Sequence, residues 1–149
     1  MKWYLLNTDA RSMSDGRSPH EKWFNHGMAF CAEYTLKKSD KNFSDNFLKL
    51  KPGDVCLMYA NAMGIIGVGK VSEEYNGRTY AESECLVYVQ GADGYGKEHR
   101  IRVDWEDLRN TPKGPISYDT LRSMNIIPNI AFRSISEADA DKFRKFIYG

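Results

Sequence analysis

The residues best able to do chemistry lie in one stretch, Asn7-Thr-Asp-Ala-Arg-Ser-Met-Ser-Asp-Gly-Arg-Ser-Pro-His-Glu-Lys-Trp23. Between positions 9 and 20 it holds Asp9, Arg11, Asp15, Arg17 and His20, with almost no aliphatic side chain among them. A polar connection of this length is uncommon in a compact domain unless it does something. Carboxylates, guanidiniums and an imidazole followed by an indole suit a pocket that stacks a flat, polar ligand. The plainer reading is a solvated loop whose Trp23 packs the core. Both readings stand at this point.

The neighbouring elements must position that stretch. Lys2-Trp-Tyr-Leu-Leu6 is short, aromatic and apolar, as a buried strand is. Asp15-Gly16 makes a turn, and Ser18-Pro19 reads as the cap and first position of a helix that carries Trp23 and Phe24. Gly27 then starts a short strand to Glu33. Asp45 to Leu50 reads as a short helix with Phe43, Phe47, Leu48 and Leu50 on its apolar side. Lys51-Pro-Gly-Asp54 is a turn with Pro and Gly where a type II turn wants them.

The firmest feature is a hairpin. Val55-Cys-Leu-Met-Tyr-Ala60 is apolar on both faces, and Asn61-Ala-Met-Gly64 turns it into Ile65-Ile-Gly-Val-Gly-Lys-Val71. Gly67 and Gly69 fall on one face, which marks a strongly coiled strand or a close backbone approach. They are not a nucleotide fingerprint, since the third glycine and the following helix are missing. Glu82 to Gln90 and Arg100-Ile-Arg-Val-Asp-Trp105 read as further strands. Ser117 caps a helix to Ser123, and Ala131–Ile135 forms a last strand. Ser136-Glu-Ala-Asp139 opens a C-terminal helix to Tyr148, with Phe143, Phe146 and Ile147 on its buried side. The whole reads as one α+β domain over residues 1–149, with five or six mostly hairpin-linked strands in a curled or closed sheet.

Composition narrows the classes. No run approaches the roughly 18 apolar residues of a membrane helix, and the first residues lack a signal peptide's apolar length. Cys31, Cys56 and Cys85 are odd in number and far apart, which suits reduced, buried thiols in a cytoplasmic protein. His20, His26 and Cys31 match no zinc spacing, so neither metal nor cofactor is expected. The net charge of +1 gives no global basic field, and a nucleic-acid partner would have to be held by a local patch.

Three segments carry a resemblance. Lys2-Trp-Tyr-Leu-Leu6 with the Trp23 helix, then Gly53-Asp-Val-Cys-Leu-Met-Tyr59 leading through a short turn into Gly64-Ile-Ile-Gly-Val-Gly-Lys-Val71, then Val103-Asp-Trp105, resemble the EVE domain. EVE domains belong to the PUA-like superfamily and are close in fold to YTH domains. The likeness spans nearly the whole chain, and the hairpin is its most specific part. The chain departs from the usual pattern at Trp23-Phe-Asn-His-Gly-Met-Ala29, where a Trp-rich Arg-Asn segment is customary. It departs again at Ala60-Asn61, where a serine follows the tyrosine.

The resemblance implies a PUA-like curled or closed, mostly antiparallel β-barrel flanked by short helices. It also implies an aromatic pocket for a base flipped out of nucleic acid. EVE-like modules stand at the front of modification-dependent restriction systems, where they resemble readers of modified cytosine. On that basis Trp23, Tyr59 and Trp105 would stack the base, and Asp9 and Asn61 would meet its polar edge. Arg11, Arg17, His20 and Lys22 would hold the flanking phosphates. Tyr59 and Trp105 read equally well as core residues, and Asn61 as a turn cap. DNA with modified cytosine comes ahead of methylated adenine or RNA. Any cleavage would belong to a nuclease or other effector in another chain or a fused domain. Trp23→Ala would then weaken binding without unfolding the domain.

The rival reading is a small hydrolase acting on a modified nucleoside in the same pocket. Some PUA-like relatives resemble amidohydrolases that use a Lys, a Thr and a Glu, and Thr8, Lys22 and Glu21 are the matching residue types here.

Overall fold

The computed structural model describes residues 1–8, 19–34, 47–77, 79–80, 86, 95–112, 114–126 and 132–149. Its strands are β1 (Trp3–Asn7), β2 (Met28–Tyr34), β3 (Val55–Ala60), β4 (Gly64–Val71), β5 (Thr79–Tyr80), β6 (Tyr95–Asp107) and β7 (Phe132–Ile135). Its α-helices are α1 (Pro19–His26), α2 (Tyr118–Ser123) and α3 (Glu137–Tyr148), with a 3-10 turn at Leu108–Asn110. The strands form one mixed sheet in the order β2-β6-β4-β3-β1-β7, with β5 also on β6. The fold is α+β, and the sheet is curled, with no closing pair among the described strands. The segment read as a strand over 82–90 lies almost wholly outside the described residues, as does the start of the 45–50 helix. No helix among the described residues is long and apolar enough to cross a membrane.

Two features shape the sheet. β6 pairs with β2 through Tyr95–Arg102 and with β4 through Val103–Asp107, so one long strand bends from one neighbour to the other. β1 inserts between β3 and β7, parallel to β3 and antiparallel to β7. Its apolar alternation builds two cores at once. Tyr4 and Leu6 join Cys56, Met58, Ile66, Val103 and Trp23 in the first core. Trp3 and Leu5 join Leu57, Tyr59, Ile65, Leu121 and Phe143 in the second, under α2 and α3. A side-chain period of two sends neighbouring residues to opposite faces, which is why β3 is buried along its whole length.

Several local expectations hold. Gly27 takes φ +61° directly after α1 and releases the chain into β2. The Lys51–Asp54 turn closes with the Asp54 N–H donating to the Lys51 carbonyl at 3.0 Å. Ser117 and Ser136 accept N–H bonds from Thr120 and Asp139, capping α2 and α3. One residue differs. Phe146 is 38 % exposed, whereas Ala140, Phe143 and Ile147 make the buried stripe of α3. Its i+3 offset from Phe143 carries it round the helix, past the edge of that stripe.

Candidate functional site

The first core holds an aromatic cluster built by α1, β2 and β6. Trp23 sits one turn into α1 and is 1 % exposed. Its ring centroid lies 6.1 Å from Phe30 of β2 and 6.1 Å from Trp105 of β6. Trp105 is half-buried, and its indole N–H donates to the Met28 carbonyl at 2.9 Å. Phe24 meets Trp105 edge-on at 6.5 Å. These spacings are those of favourable tilted and edge-to-face aromatic pairs.

The two glycines of β4 make the bed for this cluster. The β3–β4 register shifts at Met58/Tyr59, and Gly67 there stands against Phe24. A Cβ on Gly67 would lie 3.1 Å from the Phe24 ring, and one on Gly69 would lie 3.0 Å from Trp105 and 2.6 Å from the Asp104 carbonyl oxygen. Bare Cα positions at both places let the rings lie against the strand. The Gly67/Gly69 pattern was therefore the sequence signal of close approach.

An ionic network fastens the cluster's rim. The Arg109 guanidinium sits 4.9 Å over the Phe24 ring and pairs bidentately with Asp107, at 3.0 Å to Oδ1 and 2.7 Å to Oδ2. Its third nitrogen donates to Glu21 on α1, whose carboxylate also lies 3.2 Å from His20 Nε2. The Arg109 hydrogen bonds hold the Asp107 and Glu21 carboxyls below their ordinary ranges and raise Arg109. Carboxylates pinned in this way are poor general acids near neutrality. Burial pushes His20 below its ordinary value of 6.5, partly offset by Glu21.

The folded state therefore holds His20 neutral where the unfolded chain takes up a proton. Stability is full above pH 6.5 and falls as the pH drops through the lowered folded value. A pH series of urea midpoints should show this loss in the wild type and a shallower slope in His20→Gln. Identical slopes would mean that His20 titrates no differently once folded.

The expected site residues are not all brought together. Trp23 and Trp105 meet, but Tyr59 does not join them. Its strand parity puts it in the second core, 6 % exposed, with Leu57 and Ile65. His20 is 5 % exposed and faces Glu21, not a strand path, and Lys22 donates to the Leu86 carbonyl. Asn61 is exposed on the β3–β4 turn and accepts from Asn7 at 3.4 Å. Asp9, Arg11 and Arg17 lie outside the described residues. Phe24, Phe30 and Arg109 were missed. Arg109 reaches Glu21 across 88 positions of sequence, which no local pattern signals.

Two buried polar atoms on this side have no hydrogen-bond partner among the described residues, the Trp23 indole N–H and the Thr8 hydroxyl. Thr8 continues the parity of Tyr4 and Leu6 past the end of β1, and its N–H extends the ladder to Tyr59 at 2.9 Å. Buried polar groups are ordinarily satisfied, so two such atoms on one face call for a partner. Among the described residues no cluster of His, Cys, Asp and Glu could hold a metal.

No family model matches the sequence, and no curated protein matches it. Solved structures do. Human THYN1 in complex with 5-methylcytosine-containing DNA superposes with a TM-score of 0.58 at 13% identity, over 97% of this chain and 96% of that one. A Pseudomonas syringae protein gives 0.56 at 12% identity, over 97% and 99%. The Pho92 YTH domain in complex with m6A gives 0.51 at 14% identity, over 97% and 85%. The chain shares the fold of these structures, human THYN1 and the Pho92 YTH domain among them. Among the described residues the candidate site comes down to the Trp23–Trp105–Phe30 cluster. Glu21 and Lys22, two of the three residue types of the hydrolase reading, are engaged by Arg109 and by the Leu86 carbonyl.

Proposed function

We infer that this chain is a non-catalytic reader of a modified base in nucleic acid. The observation that carries this reading is the anchored Trp23–Trp105 pair, whose Trp23 indole N–H has no partner among the described residues. Trp105, half-buried, would supply the stacking surface, and the buried Trp23 N–H the polar group that a ligand edge satisfies. The PUA-like neighbours that hold 5-methylcytosine DNA and m6A support it. Modified cytosine in DNA is the first candidate ligand. Asp9 and Asn61 are proposed for the base edge, and Arg11 and Arg17 for the flanking phosphates, where they contribute affinity common to all sequences. The protein would act in the cytoplasm, and any cleaving activity would come from an effector domain or chain.

Trp23→Phe tests the reading. It keeps one aromatic ring and deletes the pyrrole part of the indole with its N–H, which bonds nothing among the described residues, so the variant should melt several degrees below wild type and well above the alanine variant. Affinity for a 5-methylcytosine oligonucleotide should fall roughly fivefold, as one hydrogen bond of about 1 kcal/mol requires. Affinity for the unmodified oligonucleotide should change less. Equal binding of modified and plain oligonucleotides by both proteins would remove the reader function.

A further inference from the structure

A second cavity lies behind the aromatic cluster and plays no part in the reading above. It is a cleft of about 210 Å³ formed where the start of β2, the middle of β6 and the segment after β4 meet. That volume admits one heterocycle and is short of the roughly 300 Å³ of a drug-sized pocket. Ile101 is buried and Met28 half-buried, so the apolar side is the deeper one. Glu73, Glu74 and Arg102 are exposed and form a charged rim. The Met28 carbonyl is the acceptor of the Trp105 N–H, so the inner wall of the cleft is held by the aromatic cluster itself.

The charges restrict the ligand. Arg100 is neutralised by the fully buried Glu98 at 2.8 Å and rests 5.8 Å from the Phe30 ring. Arg102 and Glu73 stand 3.7 Å apart, both more than half exposed, which is a loose pair that a ligand can part. With Arg100 held by Glu98, the groups open to a ligand are the Glu73 and Glu74 carboxylates and the Arg102 guanidinium, so a bare anion meets two carboxylates and a bare cation meets Arg102. The cleft therefore suits a neutral planar ligand with neighbouring acceptors for an arginine fork and neighbouring donors for a carboxylate. Among the common bases guanine alone has both, O6 with N7 and N1–H with N2–H.

We propose that the cleft lined by Glu73, Glu74 and Arg102 is a binding subsite for a guanine base. Arg102 donates to O6 and N7, a Glu73 or Glu74 carboxylate accepts from N1–H and N2–H, and the half-buried Met28 covers the ring. This subsite stands whether or not the Trp23 wall takes a modified base. The base can come from a free nucleotide or from a nucleic-acid strand.

The test is a ¹H–¹⁵N NMR titration of the full chain with guanosine, inosine, 7-deazaguanosine and adenosine monophosphates. Guanosine monophosphate should shift Met28, Ile101 and Arg102. Inosine monophosphate lacks N2 and the 7-deaza analogue lacks N7, and each should bind roughly tenfold more weakly. Glu74→Gln together with Glu73→Gln should erase the preference over inosine. Arg102→Gln should erase the preference over the deaza analogue. All three side chains are exposed, so the variants should melt with the wild type. An oligothymidylate with one guanine separates the sources: tighter binding than the mononucleotide assigns the base to a strand, and weaker binding assigns it to a free nucleotide. Equal shifts from all four nucleotides, a preference for adenosine through the wall residue Asn76, or no shift at millimolar ligand would overturn the proposal. Loss of 5-methylcytosine binding with guanine binding intact would overturn the reader function and leave the subsite.

Discussion

Trp23→Ala should lower stability by about 3–5 kcal/mol, the cost of emptying a core position of a large aromatic ring. The ring is 1 % exposed and touches Phe30 on β2 and Trp105 on β6, so its loss opens a void between helix and sheet. At this chain length such a loss corresponds to roughly 10–20 °C of melting temperature. Urea midpoints for wild type and variant measure it directly. A variant melting within a degree or two of wild type would show that the ring lies outside the core. The expected unfolding reverses the view that alanine here weakens binding alone, and it makes phenylalanine the informative substitution for ligand work.

Gly64→Ala should cost a similar amount for a different reason. Gly64 takes φ +95° at the start of β4, and a Cβ there would lie 2.1 Å from the Ile116 carbonyl oxygen. That oxygen accepts the Ile65 N–H at 2.8 Å, and the Ile116 N–H returns to Ile65 at 3.0 Å. Alanine would add backbone strain of about 1–3 kcal/mol and force apart a two-bond bridge worth about 0.5–1.5 kcal/mol per bond. Gly53 gives the internal control, since it takes φ +91° with nothing within 4 Å of its Cβ direction. Gly53→Ala should show the strain alone. If both variants unfold at the same urea concentration, the Ile116 segment yields freely and the close approach carries no energy.

What could be read from the sequence was whatever is encoded locally. Ser117 and Ser136 announce their helices because a hydroxyl must meet orphan N–H groups within three residues. The β3–β4 hairpin announces itself because its turn and both strands are adjacent in the chain. The parallel pairing of β1 with β3 has no such marker, because apolar alternation gives a strand's faces and not its neighbours. That Tyr59 lies apart from Trp23 and Trp105 was hidden for a related reason. β3 is buried on both sides, so polarity could not tell which core its ring enters. Arg109 follows the long β6 strand among ordinary charged residues, and only the fold brings it over Phe24 and against Glu21.

The place of β1 has a consequence for how the polypeptide is made. Trp3 pairs with Val55 on one side and Ile135 on the other, so this strand is made well over a hundred residues before its second partner. At about 5–20 residues per second, the ribosome delivers the β7 partner roughly ten seconds after β1 has emerged. During that interval Trp-Tyr-Leu-Leu, residues 3–6, is an apolar segment with open hydrogen-bonding edges. Until β7 arrives, that edge is where the chain is most exposed to pairing with another strand. The buried residues of the first core all lie between Tyr4 and Val103, whereas the second core waits for Phe143 and Ile147 and is the later of the two to be completed.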